Sequence, residues 1–150
     1  MEAVEVVEVM EGSPAVVGGE PFGPGGPRLL LVEDEPGLAE VLELHLSRAG
    51  FDVAVAGDGL SALEALERGR PDAVVLDLTL PRVSGFRVLE LIRRDAVTAR
   101  VPVLVLTALS FQEAKEVAHA GADDFLTKPV APQTVVVRTQ RLLARTAQPA

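Results

Sequence analysis

The sequence predicts an α/β domain in which five parallel strands form one sheet covered by helices on both faces. Three observations carry this. After Arg28, short β-rich apolar runs alternate five times with segments of helical period. Some of those runs, such as Ala73-Val74-Val75-Leu76 and Val103-Leu104-Val105-Leu106, are apolar at every position, as strands must be when both faces of their sheet are covered. The size also fits: 150 residues with 48% hydrophobic and 24% charged content suit a single globular domain. A chain of that size buries roughly 68–70% of its unfolded surface. Right-handed crossovers between parallel strands leave few ways to wind such a sheet.

Each element has its own justification. Leu29–Val32 is the first strand and Leu38–Ala49 the first helix, with Leu38, Val41, Leu42 and Leu46 expected on its buried face. Phe51–Ala56 is the second strand. It ends in the turn residues Gly57-Asp58-Gly59, after which Leu60–Arg68 is helical. Ala73–Leu76 leads to the helix Phe86–Arg94, and Val101–Leu106 to the helix Ser110–Ala120. Phe125–Thr127 is the last strand and Gln133–Arg145 the last helix, with Pro132 suited to its first turn. Gly50, Gly69 and Gly121 follow the first, second and fourth helices, where left-handed caps belong. Ahead of this pattern, residues 1–27 hold five Glu and no Lys or Arg, and Gly and Pro crowd from Gly12 to Pro27. That segment reads as an acidic, flexible tail before a domain at 28–146, with 147–150 as a short C-terminal tail.

Composition excludes several functions. The chain has no cysteine, so disulfides, thiol catalysis and cysteine-ligated zinc are ruled out. His45 and His119 are the only histidines, too few for a histidine-rich metal site. A net charge of −8 makes duplex nucleic acid a poor partner, and with neither Trp nor Tyr there is no stacking platform for single strands. The run Val101–Leu106 is far too short to span a bilayer, and no early cation after Met1-Glu2 suggests a secretory signal. The expectation is a cytoplasmic protein with neither nucleic acid nor membrane as partner.

In an open parallel sheet, ligands bind beyond the carboxyl ends of the strands. Glu33, Asp34 and Glu35 follow the first strand, Asp77 the third, Thr107 the fourth, and Lys128-Pro129 the fifth. Each has an ordinary reading on its own: a helix cap, a loop acid, a capping threonine, a surface lysine before a turn. Together they put three carboxylates, a hydroxyl and an ammonium at one sheet edge. Glu33, Asp34 and Asp77 in one pocket demand a hard divalent cation, for which Mg²⁺ is suited. A metal-bound carboxylate there is a nucleophile toward phosphorus. Lys128 and the metal would then neutralise the transferred oxygens and Thr107 would donate a hydrogen bond, giving an aspartyl phosphate.

From Leu29 to about Arg145 the chain resembles the receiver domain of the two-component response-regulator family. The segments that carry the likeness are Leu30-Leu31-Val32-Glu33-Asp34-Glu35, Val74-Val75-Leu76-Asp77-Leu78-Thr79-Leu80-Pro81 with Ser84-Gly85, Val105-Leu106-Thr107-Ala108, and Gly121-Ala122-Asp123-Asp124-Phe125-Leu126-Thr127-Lys128-Pro129. The resemblance implies a doubly wound, flavodoxin-like sheet of order 2-1-3-4-5. It implies Asp77 as phospho-acceptor, Asp34 as direct Mg²⁺ ligand, Glu33 as the partner acid and the Thr79 carbonyl as a further ligand. Thr107 becomes the switch hydroxyl, Lys128 the phosphoryl-binding lysine, Phe125 the aromatic switch position, and Lys128–Pro129 a cis bond. The implied partners are a sensor histidine kinase or phosphotransfer protein and a downstream protein, and two copies can pair through the fourth helix, fifth strand and fifth helix. Such a domain is no enzyme beyond its own phosphorylation and dephosphorylation.

This sequence departs from the family in places. Phe125 has no hydroxyl, Leu109 is apolar where relatives are often polar, and Ala131 stands where a capping residue is common. Ala108 is small and leaves access to Asp77 open. Leu109 cannot orient an attacking water, so a long-lived phosphoryl group is expected, with Thr79 as the competing water-holder. No output domain is expected after the last helix, so the expectation is a stand-alone receiver. Arg138, Arg141 and Arg145 on one side of that helix suggest a docking edge for an acidic partner or for the tail. A degenerate receiver that only binds protein is opposed by the intact acids. A phosphohydrolase of the haloacid dehalogenase type is opposed by Thr79, where that group needs a second Asp, and by the early position of Glu33-Asp34.

Overall fold

A computed structural model of the chain describes residues 25–108 and 110–147. Along it alternate β1 (Arg28–Val32), α1 (Pro36–Arg48), β2 (Asp52–Ala56), α2 (Gly59–Arg68), β3 (Ala73–Asp77), α3 (Gly85–Arg94), β4 (Val103–Thr107), α4 (Phe111–His119), β5 (Asp124–Thr127) and α5 (Pro132–Ala147). The strands pair in parallel in the order β2-β1-β3-β4-β5, the doubly wound topology expected. Element bounds fall within two residues of those read from the sequence. The largest shift at a strand is β4, which starts at Val103 because Pro102 has no N–H to give the ladder; its carbonyl instead accepts from the Val74 amide at 2.9 Å. The acidic segment expected to form a tail lies outside the described residues up to position 24.

Strand periodicity divides the interior into two cores. Leu30, Val32, Val74, Leu76, Val103 and Val105 face Ala62 of α2, Val88 and Ile92 of α3, and Val117 of α4. The alternate residues Leu29, Leu31, Ala73, Val75, Leu104 and Leu106 face Leu42 and Leu46 of α1 and Val135 and Leu142 of α5. Burying one such Leu is worth roughly 1.5–3 kcal/mol relative to leaving it exposed. Central strands apolar on both sides therefore lock the sheet between two helical layers, which fixes where their carboxyl ends emerge.

Two local expectations are corrected. Val41 is 41% exposed, while Ala39, Leu42 and Leu46 are buried. The stripe on α1 is thus narrower than read, because β1, β2 and α5 pack against the inner side of the helix, with Leu38 half-buried at its start, and leave Val41 toward solvent. Gly50 (φ 103°) and Gly121 (φ 118°) do take the left-handed conformation. Gly69 has φ −169°, so the chain leaves α2 directly into extended backbone and no glycine is required there. The starts of α2 and α3 are capped by side chains: Asp58 accepts from the Ser61 amide at 2.7 Å and Ser84 from the Arg87 amide at 3.2 Å. Glu35 precedes α1 without a side-chain cap bond, which removes helix capping as an explanation of that acid.

At the far end of α3, Arg93 ties distant loops together. Its guanidinium donates to the carbonyls of Gly121 (2.8 Å), Ala99 (3.1 Å) and Val101 (2.6 Å) and to the Asp123 carboxylate (2.7 Å). Asp123 also accepts from the Val103 amide at 2.8 Å, so the entry to β5 is anchored on the entry to β4.

Candidate functional site

The site stands where the winding reverses. The chain leaves β1 toward β2 on one side and β3 on the other, and that crevice opens at the carboxyl ends of the central strands. Glu33 continues β1, its amide donating to the Ala56 carbonyl at 3.0 Å, and Asp34 follows. Asp77 closes β3 in register with Leu106, and Thr107 closes β4 in register with Thr127. Lys128 comes next along β5, its amide donating to the Thr107 carbonyl at 2.7 Å. The Lys128–Pro129 bond is cis, as expected.

This topology brings the predicted acids together. Acceptor oxygens of Glu33, Asp34 and Asp77 all lie within 4.8 Å of one another. Glu33 and Asp77 are 1% and 2% exposed and form the floor, while Asp34 is exposed at the mouth. Lys128 Nζ bridges the floor: it is 3.2 Å from Asp77 Oδ2 and 3.2 and 3.3 Å from Glu33 Oε1 and Oε2. Asp77 Oδ1 accepts from the Thr79 amide at 3.0 Å, and Glu33 Oε2 from the Glu35 amide at 3.2 Å. Glu33 Oε1 is buried near the ammonium yet accepts no hydrogen bond.

Three carboxylates share one ammonium, and protonation answers the imbalance. Burial, with the charge of Asp77 adding to it, pushes Glu33 up to about 7, against the pull of the Glu35 amide and Lys128. Burial and a hydrogen bond with Asp77 raise Asp34 above the usual carboxylate range. For Lys128, burial works against the charge, but hydrogen bonds to Asp77 and Glu33 and their charges outweigh it, so its pKa is raised. The donor set is oxygen only, carries excess negative charge and includes a buried oxygen, Glu33 Oε1, that accepts no hydrogen bond. Those residues fit a hard divalent cation such as Mg²⁺, which takes few carboxylates and keeps part of its water.

The remaining predicted residues fall around this floor. Thr107 is fully buried and Ala108 is exposed beside it; Leu109 lies outside the described residues. Thr79 is exposed, and its amide, which sequence reasoning did not single out, holds Asp77. Phe125 is not at the acids: it pairs with Val105, two residues before Thr107 on β4, and packs against the core under α2, α3 and α4. On α5, Arg138 is held at 2.6 Å by Asp124, so the docking edge read there loses one of its three cations to an internal ion pair. An open cleft of about 680 Å³ along α3, lined by Phe86, Arg87, Glu90 and Arg94, contains none of the predicted site residues. Among the described residues, no helix is long and apolar enough to cross a membrane.

Comparison with known proteins points the same way. The family described as the response regulator receiver domain matches residues 29–140. The sequence is 41% identical over 121 residues to the DNA-binding dual master transcriptional regulator RpaA of Synechocystis sp., covering 80% of this chain and 50% of that protein. The chain spans about half the length of several curated relatives it matches. Among solved structures, the receiver domain of the Francisella response regulator 1452 superposes with a TM-score of 0.76 at 30% identity, over 81% of this chain and 99% of that one. The receiver domain of sensor histidine kinase PA1611 from Pseudomonas aeruginosa PAO1, solved with a magnesium ion coordinated in its active-site cleft, gives 0.73 at 35% identity, over 79% and 98%.

Proposed function

This chain belongs to the response regulator receiver domain family, and from that premise we propose that it accepts a phosphoryl group on Asp77 from a histidine kinase or phosphotransfer protein and signals, in the cytoplasm, by contact with another protein. One observation carries the reading: a buried carboxylate, Asp77, sits within reach of two further acids and of a lysine ammonium at the switch point of the sheet.

Glu33, Asp34, Asp77 and the Thr79 carbonyl would hold Mg²⁺, which supplies positive charge against the phosphoryl oxygens as they approach three carboxylates. The protein's own groups do the rest. An Asp77 oxygen attacks phosphorus in line as the donor's P–N bond breaks, and the leaving imidazole keeps the electron pair of that bond. The Thr79 amide fixes Oδ1 and thereby the orientation of the carboxylate. Lys128, already directed at Oδ2, moves its hydrogen bond to a phosphoryl oxygen, and Thr107 donates a second one from the end of β4. Ala108, small and exposed, leaves the entry open. Thr107 also abuts Lys128 through the backbone, and Phe125 pairs two residues back along β4, so a shift of the Thr107 hydroxyl reaches β5 through packing. Leu109 offers no group to orient a hydrolytic water, which favours a persistent acyl phosphate.

The test is incubation with a small phosphodonor, with and without Mg²⁺, followed by intact-mass measurement. The wild type should gain one phosphoryl mass only with the metal, and Asp77→Asn should gain none. Uptake by Asp77→Asn equal to wild type would move the acceptor elsewhere.

A further inference from the structure

We propose that Gly59 and Arg82, outside the acid cluster, are positioning residues for phosphoryl acceptance, because they clamp the loop between β3 and α3 against the first turn of α2. The inference rests on Asp77 being the acceptor.

The clamp is visible in the backbone. A Cβ placed on Gly59 would run into the Val83 carbonyl oxygen and come within 2.7 Å of its carbonyl carbon and its Cβ. Real Cβ atoms do not approach backbone so closely, so the first residue of α2 and the loop after Asp77 lie in direct main-chain contact. Arg82, one residue before, is the only non-glycine among the described residues with positive φ, at 72°. A side chain pays conformational strain there, and a surrounding that over-determines the backbone is what keeps such a residue in place. Its guanidinium reaches to 3.9 Å from Asp58 Oδ2, and the other oxygen of Asp58 caps α2 at Ser61. The loop is pinned at its other end too. The Gly85 amide donates to the Leu78 carbonyl at 3.1 Å, and a Cβ on Gly85 would strike the Asp77 carbonyl.

Between these two pins runs the segment Leu78–Ser84, which includes Thr79. The Thr79 amide holds Asp77 Oδ1, and its carbonyl is one of the groups proposed above to hold the metal. Pushing Val83 away from Gly59 must therefore be taken up within four residues of the group that orients the acceptor. Misplacement of about 1 Å at a reacting group costs up to ~10²-fold in rate. The β2–α2 turn would thus set the geometry of a carboxylate on β3 that it does not touch.

The experiment uses the full chain and three variants, Gly59→Ala, Arg82→Gly and the pair. Three readouts are taken: the rate of phosphoryl uptake from a small donor at saturating Mg²⁺, the Mg²⁺ affinity, and the amide chemical shift of Thr79. Gly59→Ala should lower the rate about tenfold or more and move the Thr79 resonance while core amides such as Leu30 and Val105 stay in place. Arg82→Gly should slow uptake while leaving the denaturation midpoint unchanged or raised, since glycine relieves the strain; a purely structural role would not lower rate while raising stability. In the double variant, the freed loop can retreat from Ala at 59, so uptake should recover to within about threefold of Arg82→Gly alone. Variants that take up phosphate within threefold of wild type with an unmoved Thr79 amide would overturn the inference, as would an undiminished Gly59→Ala effect in the Arg82→Gly background. If Gly59→Ala fails to fold, Arg82→Gly decides alone on its rate and its Thr79 shift. Failure of the acceptor reading looks different, because the wild type itself would then take up nothing.

Discussion

Replacing Glu33 by Gln should stabilise the metal-free protein, although it removes a hydrogen-bonding acid from a formed site. Glu33 is almost wholly buried, faces Asp77, and is pushed up to about 7 from an ordinary 4.5. The sign follows from proton binding. Below pH 4.5 the carboxyl is neutral in both folded and unfolded chains and costs nothing. Between 4.5 and about 7 the unfolded chain loses the proton while the folded one keeps it, so stability falls as pH rises. Above about 7 the loss is complete and constant. Each pKa unit is worth 1.36 kcal/mol, so the full penalty is about 3 kcal/mol. In a domain of this size that is a shift on the order of 10 °C in midpoint. Thermal or urea denaturation in chelator, for wild type and Glu33→Gln side by side, cancels the titrating groups that do not face Glu33, leaving Glu33 and its neighbours Asp77 and Lys128. The variant should be the more stable by about 3 kcal/mol at pH 8 and equal to wild type near pH 4. Added Mg²⁺ should raise the wild type more than the variant. A variant less stable than wild type at pH 8 in chelator, or a difference that does not vary with pH, would show that Glu33 carries no such buried-charge penalty.

Lys128→Ala should act in the opposite sense: hydrogen bonds to Asp77 and Glu33 and their charges raise the lysine pKa, so the ammonium is charged and stabilising at pH 8; breaking such a buried ion pair without metal should cost about 3 kcal/mol by urea denaturation at that pH, and less at pH 5, where Glu33 holds its own proton. Arg93→Ala removes three carbonyl contacts and one carboxylate contact at once and should cost about 3 kcal/mol in the same measurement, with Arg93→Lys recovering only part because an ammonium cannot span four acceptors. Arg138→Ala breaks a partly exposed ion pair with Asp124 and should cost less than about 1 kcal/mol, which a double-mutant cycle with Asp124→Ala would show.

The fold was legible because strands apolar on both faces can only lie inside a sheet with two helical layers, and β1, β3 and β4 are such strands. The acids were legible for a related reason: in a parallel sheet the residue after each strand lands at one edge, so Glu33, Asp77, Thr107 and Lys128 converge without any knowledge of their side-chain geometry. Strand order came from the family resemblance, since periodicity alone does not order strands. What stayed hidden depends on contacts between residues far apart in sequence. Arg93 meets Gly121 and Asp123 across 28 and 30 residues, and no local pattern marks it. The Thr79 amide is a backbone donor, and composition says nothing of those. Gly59 looked like a turn glycine, whereas its role is to admit the Val83 backbone. Val41 was misplaced because helical period permits a wider apolar stripe than the neighbours of α1 cover.

If Asp77 takes the phosphoryl group, the acyl phosphate is carried on its side chain and can be trapped there. Borohydride reduces an acyl phosphate to an alcohol, so phosphorylated protein treated in this way and cleaved into peptides records the acceptor by mass. Asp77 should be converted to homoserine, dependent on phosphodonor and Mg²⁺, with Glu33 and Asp34 unchanged. Reduction at Glu33, at Asp34 or at a site away from this cluster, with Asp77 intact, would contradict Asp77 as the acceptor.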